Sequence, residues 1–100
     1  MFGLSSIKEF AESLALQIES AVPASQLGSK RTVFTVNKIS RELEKVYDAA
    51  RHNKKTHKLG FIKSAYMANT FRWALKEKGY PEDFITIATE GLVVYLTKNR

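Results

Sequence analysis

Apolar residues recur at spacings of three and four through the first twenty-two positions: Leu4, Ile7, Ala11, Leu14, Ile18 and Val22, with Phe10 and Ala15 widening the stripe. That period predicts an amphipathic helix with one face in a core. Ser6 and Glu9 have the spacing of a capping box, which sets the expected helix start near Ser6, and Pro23 bounds the far end. The polar side carries Lys8 with Glu9, Glu12 and Glu19, a net acidic face that an anionic membrane surface would repel. Residues 23–30 (PASQLGSK) read as a loop, and 31–36 (RTVFTV), β-branched and aromatic, as a short strand. Asn37 is placed to cap a second helix, with Ile39, Leu43, Val46, Tyr47 and Ala50 on its apolar side and mixed charges opposite.

Residues 52–58 (HNKKTHK) contain nothing apolar and read as a basic connector. A third helix is expected from Leu59 or Gly60 to Lys78, where Gly79 suits the left-handed position after a helix and Pro81 forbids continuation. Beyond it, 84–89 and 92–97 are strand-like runs separated by Glu90-Gly91, the pattern of a β-hairpin. A two-residue loop would pair Ile85 with Leu96, Ile87 with Val94 and Thr89 with Leu92 on one face. Thr86 would then face Tyr95, and Ala88 would face Val93, on the other. The order helix, strand, helix, helix, strand, strand predicts an α+β fold: three helices packed on a small antiparallel sheet with a C-terminal β-hairpin, one domain over residues 1–100.

This order resembles that of the winged-helix DNA-binding domains, in which a strand follows helix 1 and a hairpin follows the recognition helix. The resemblance implies a third helix in the major groove and a hairpin acting as the wing. It is one of order alone. The connector before the third helix is longer than a tight turn, that helix is near twenty residues long, and Glu90-Gly91 gives an acidic tip that phosphates would repel. Membership of the family is not assigned.

Composition narrows the function classes. There is no cysteine, so disulfides and thiolate metal sites are excluded. A 100-residue chain buries roughly 65% of the surface its unfolded form exposes, enough for a core without cross-links. No run approaches the ~20 apolar residues of a membrane span, and the acids and lysine of the first helix exclude an ordinary signal peptide. The expected location is the cytoplasm, with no membrane partner.

Charge adds the one asymmetry. No acid lies between Asp48 and Glu77, while that interval holds Arg51, Lys54, Lys55, Lys58, Lys63, Arg72 and Lys76, together with His52 and His57. The remaining chain has nine cations against ten acids, so the whole +6 surplus comes from residues 49–76. Such a stretch either attracts a polyanion or solvates a surface.

Two readings of the third helix follow from its pattern. Phe61, Ala65, Ala68, Phe71 and Leu75 form one apolar stripe, and Ile62, Tyr66 and Trp73 a second, with Asn69, Arg72 and Lys76 between them. In one reading this is a nucleic-acid face: Arg and Lys contact phosphates, Asn69 meets a base edge, and Tyr66 or Trp73 stacks. In the other, a helix apolar on two sides is buried on two sides. The basic connector (Arg51, Lys54, Lys55, Lys58, helped by Lys63 and by Lys30 and Arg31) would bind phosphates without reading sequence.

Enzyme readings fail for want of parts. Asp48 and His52 are four residues apart and share a helix face, but no nucleophile is tied to them, and His57 completes a metal site only by assumption. Glu82-Asp83 suit a turn better than acid–base work. Gly28 and Lys30 lack the second glycine and following helix of a phosphate loop. The expectation is therefore a non-enzymatic binding protein without cofactor or metal. Its nucleic-acid candidates are Arg51, Lys54, Lys55, Lys58, Lys63, Asn69, Arg72 and Lys76. The alternative is a protein-binding adaptor or homodimer that uses Tyr66, Trp73 or the outer hairpin face of Thr86, Val93 and Tyr95.

Overall fold

The computed structural model describes residues 3–24 and 36–98, and among them every regular element is an α-helix. The helices are α1 (Leu4–Ala21), α2 (Val36–His57), α3 (Phe61–Glu77) and α4 (Glu82–Lys98). The α+β architecture with its antiparallel sheet is therefore wrong. The hairpin expected at 84–97 is the single helix α4, and with it goes the resemblance to winged-helix domains. The strand expected over 31–36 lies outside the described residues except for Val36, which already belongs to α2.

The reason is visible in the residues of α4. Its sequence satisfies two periods at once: Ile85, Ile87, Val94 and Leu96 alternate as in strands, while Ile85, Ala88, Leu92 and Leu96 recur every three or four positions. The second set is the one buried, at 2% exposure or less. Ile87 and Val94, which only a sheet would cover, stand 64% and 51% exposed. A helix buries four residues against the rest of the core, whereas an isolated two-stranded hairpin is marginal in water. Burial outweighs the β preference of the Ile, Thr and Val side chains.

α1 packs on α2 and α3, and α4 packs on the same two helices. Contacts between α2 and α4 advance together along both chains: Tyr47 with Ala88, Arg51 with Tyr95, Lys54 with Leu96. These helices run parallel. So do α1 and α3, whose ends are tied by Glu19 with Lys78 and by Val22 with Tyr80. The chain therefore crosses the end of the bundle between α2 and α3, on Lys58, Leu59 and Gly60. The core between the helices is built from Ile7, Leu14 and Ile18 of α1, Val46 of α2, Met67, Phe71 and Leu75 of α3, and the four buried residues of α4.

Helix boundaries follow local chemistry, with three departures from expectation. α1 starts at Leu4 with Gly3 as its N-cap and no side-chain capping bond, so Ser6 and Glu9 lie inside the helix and form no capping box at its start. Asn37 likewise lies within α2. Residues 52–57, expected as a connector, are the last turns of α2: they contain no Gly or Pro to stop the helix, and Lys54, Lys55 and His57 suit its negative end.

Two helix ends share one device. After α3, the N–H of Tyr80 donates to the Leu75 carbonyl (3.3 Å) and that of Gly79 to Lys76 (3.0 Å), the paired bonds of a Schellman motif, with Gly79 at φ 88°. After α2, Leu59 donates to Lys54 (3.0 Å) and Lys58 to Lys55 (3.4 Å), the same motif. Here the left-handed position is filled by Lys58, at φ 52°. The residues that follow, Leu59 and Tyr80, are both buried and anchor the turns in the core.

Candidate functional site

α3 carries the features that distinguish this surface. At about 100° per residue, Ser64, Met67, Ala68, Phe71, Ala74 and Leu75 point inward, and all are buried. Ile62, Tyr66, Asn69, Trp73 and Lys76 follow each other at alternating intervals of four and three on the opposite side. Of the two apolar stripes expected on this helix, then, only the lower part of the first (Ala68, Phe71, Leu75) is core. Phe61 and Ala65 are exposed; of the second stripe, Ile62 and Trp73 are exposed and Tyr66 is half-buried. Burial on two sides is not what the fold does with this helix.

Trp73 is 47% exposed. The Arg72 guanidinium lies 5.5 Å and the Lys76 ammonium 5.0 Å from its ring centroid, both within the range of cation–π attraction. Asn69 is exposed one turn earlier, and Tyr66 is half-buried against the core. Four of the sequence-predicted residues, Asn69, Arg72, Trp73 and Lys76, are thereby brought onto one ridge. On the flank toward α1 the surface is acidic: Glu9, Glu12 and Glu77 line the groove between α1 and α3, with Lys78 held by Glu19 at 3.1 Å. Arg72 lies on the other flank, the side of Ala65 and Ala68, toward α4.

The former connector divides. Arg51 is half-buried, its guanidinium 5.7 Å from the Tyr95 ring centroid. The Lys54 ammonium donates to the carbonyl of Leu96, satisfying an acceptor in the last turn of α4. These two cations are engaged within the fold. Lys55 and Lys58 are exposed, as are His52 and His57, and Lys63 is half-buried at the start of α3. Lys30 and Arg31 lie outside the described residues.

The protein-binding candidates on α4 separate as well. Thr86 and Val93 share the exposed side of the helix, but Tyr95 points the other way, half-buried with its ring centroid 4.9 Å from that of Tyr47. The outer hairpin face composed of Thr86, Val93 and Tyr95 does not exist, because helical spacing distributes what strand spacing would have aligned. Glu82 and Asp83 occupy the first turn of α4, where Asp83 accepts from the N–H of Phe84 at 3.0 Å, a helix-start role. Asp48 and His52 are both exposed on α2, and no group of three acidic or histidine side chains placed to hold a metal occurs among the described residues.

Sequence reasoning missed two features. Phe61 and Ile62, at the start of α3, are 78% and 79% exposed, the most exposed large apolar side chains described. Beside them a cleft of about 180 Å³ opens between α3 and α4, walled by Phe61, Ser64 and Ala68 on one side and Val93, Leu96 and Thr97 on the other. Its α4 wall was hidden by the strand reading. No helix described is long and apolar enough to cross a membrane. Comparison of the chain with protein-family models, curated proteins and solved structures finds no match.

Proposed function

We propose that the protein is a non-enzymatic, cytoplasmic module that binds nucleic acid along the outer face of α3. The observation that carries this reading is the half-exposed indole of Trp73 with Arg72 and Lys76 drawn against it. A cation beside an aromatic face is the combination that takes a phosphate and a base together, and it favours single strands, whose bases are open to stacking. Asn69 supplies a base-edge donor and acceptor on the same ridge. Lys55 and Lys58, exposed at the end of the bundle where α3 begins, extend the positive surface beyond that ridge. From Phe61 to Lys76 the helix runs roughly 22 Å at 1.5 Å per residue, room for several nucleotides.

The test is the salt dependence of affinity for a labelled single-stranded oligonucleotide. The logarithm of the binding constant falls linearly with that of salt, and replacing Arg72 and Lys76 by Ala makes the slope shallower by close to one phosphate contact per residue lost. Lys55→Ala and Lys58→Ala act in the same direction. Lys54→Ala changes the slope least, because that ammonium is bonded to Leu96. Micromolar protein with no binding at low salt contradicts the reading.

A second reading is supported by a different observation. Phe61 and Ile62, each more than three-quarters exposed, suit a protein partner or a second copy at the start of α3. A solution mass that stays monomeric at high concentration, together with no change on Phe61→Ser, counts against it.

A further inference from the structure

We propose that one end of the bundle, where α1 and α3 begin and α2 and α4 finish, docks on an anionic lipid surface with Phe61 and Ile62 inserted among the headgroups. The parallel pairing of α1 with α3 and of α2 with α4 gathers three separate stretches at this end: 3–8, 49–65 and 91–98. None of the three contains an acid, and between them they hold seven lysines and arginines. At the opposite end Glu19, Glu77, Glu82 and Asp83 stand among the cations. The charge surplus seen in the sequence is thus a polarity of the whole bundle along its helices.

The same end presents carbon. Phe61 and Ile62 are the most exposed large apolar side chains described, and Leu4, in the first turn of α1, is 54% exposed. Every Cα–Cβ bond of a helix tilts toward its N-terminus, so side chains in the first turns of α1 and α3 lean toward this end. Lys55 and Lys58 are exposed beside them, with stems long enough to keep their charges at phosphate level while apolar neighbours go deeper.

That combination identifies the occupant. A nucleic acid would meet the cations but leave the aliphatic side chains in water. A protein would need an acidic rim fitted around an apolar pit. A bilayer containing anionic lipid offers charge with hydrocarbon beneath it at every point of its surface. End-on contact also keeps the acids of α1 away from lipid, since the first of them, Glu9, lies about 8 Å behind Leu4 along the helix.

The test mixes the full chain with phosphatidylcholine vesicles, with and without phosphatidylglycerol, and reads binding by flotation. Binding is expected only where phosphatidylglycerol is present and should weaken with salt. Phe61→Ser and Ile62→Ser, both at positions already in water, should each lower affinity about tenfold through lost insertion. Lys55→Ala should lower it about fivefold through one lost charge. Depth is read with Phe61→Trp, whose added emission should move to the blue on the anionic vesicles. Trp73, about 18 Å further along α3, should keep its emission in water. An oligonucleotide on the α3 ridge would instead quench Trp73, so the two proposals succeed or fail separately. No flotation with anionic vesicles, or flotation unchanged in both serine variants, overturns the proposal. So does an unshifted Phe61→Trp, or self-association in solution that Phe61→Ser abolishes, which would assign this end to a second copy.

Discussion

The ring of Tyr47, on α2, occupies the space beside Gly91 of α4 that any side chain at position 91 would need. A Cβ built on Gly91 would stand 2.6 Å from Cζ and 2.9 Å from Cε2 of that ring, closer than such atoms approach. The Tyr47 hydroxyl then reaches on to donate to the Ala88 carbonyl at 2.9 Å. Gly91 is thus a mid-helix glycine kept for close approach between two parallel helices, a position where glycine otherwise costs about 0.5–1 kcal/mol relative to alanine.

Gly91→Ala should destabilise the protein by roughly 1–3 kcal/mol through overpacking, in spite of the better helix propensity of alanine. In a Tyr47→Ala background the same substitution should become neutral or stabilising. Urea unfolding of the four members of this double-mutant cycle measures the coupling directly. Additive effects would show that the ring is not what excludes a side chain at position 91.

This contact also shows where sequence reading fails. Glu90-Gly91 between two β-rich runs has the form of a hairpin turn, and only the position of Tyr47, more than forty residues away, reveals why glycine is there. α1 and α3 were legible because their apolar positions fit one period alone, and the end of α3 because Gly79 and Pro81 each constrain the backbone. α4 fits two periods, and the choice is made by packing partners that no local pattern records. The same holds for the candidate site. The acid-free stretch is plain in the sequence, but whether Trp73 faces in or out depends on which of two apolar stripes meets α1 and α4. Likewise, nothing in the run 52–58 says that Lys54 would be spent on the end of another helix.

Lys58 holds the left-handed position of a Schellman motif that glycine fills after α3. For a residue with a Cβ that conformation costs roughly 1–2 kcal/mol. Lys58→Gly should therefore raise stability by about 1 kcal/mol, less a few tenths for the lost cation at a helix C-terminus. Gly79→Ala, at φ 88°, should lower it by a similar amount. Chemical denaturation of both variants checks the pair, and a loss of stability in Lys58→Gly would contradict the assignment. Since Lys58 also belongs to the proposed binding surface, the stabilised variant should bind oligonucleotide more weakly.

Two tyrosines make the fold sensitive to alkali. Burial, and then the neighbouring Tyr95, push the Tyr47 phenol from 10.0 to about 12. Burial, and then the Glu19 carboxylate, push Tyr80 to about 12 as well, and its hydroxyl donates to the Val22 carbonyl at 2.6 Å. Both raised values mean that the folded state keeps these phenols neutral where the unfolded chain ionises them. Their contribution to stability is complete below pH 10 and is lost as pH rises from 10 to 12. Phenolate absorbance should show Tyr47 and Tyr80 ionising late or together with unfolding. Tyr47→Phe and Tyr80→Phe should each be less stable at neutral pH, by about 1 kcal/mol for the lost hydrogen bond, and lose stability less steeply above pH 10. A decline as steep as in the parent chain would refute the role given to these groups.

The outward ridge of α3 is tested most directly by the emission of Trp73, the only tryptophan in the chain. At low salt, a single-stranded oligonucleotide should quench it saturably, the quenching should reverse with added salt, and Arg72→Ala with Lys76→Ala should weaken it strongly. Emission that stays unchanged while the oligonucleotide binds, or no binding at all at micromolar concentration, would contradict the assignment of this face to nucleic acid.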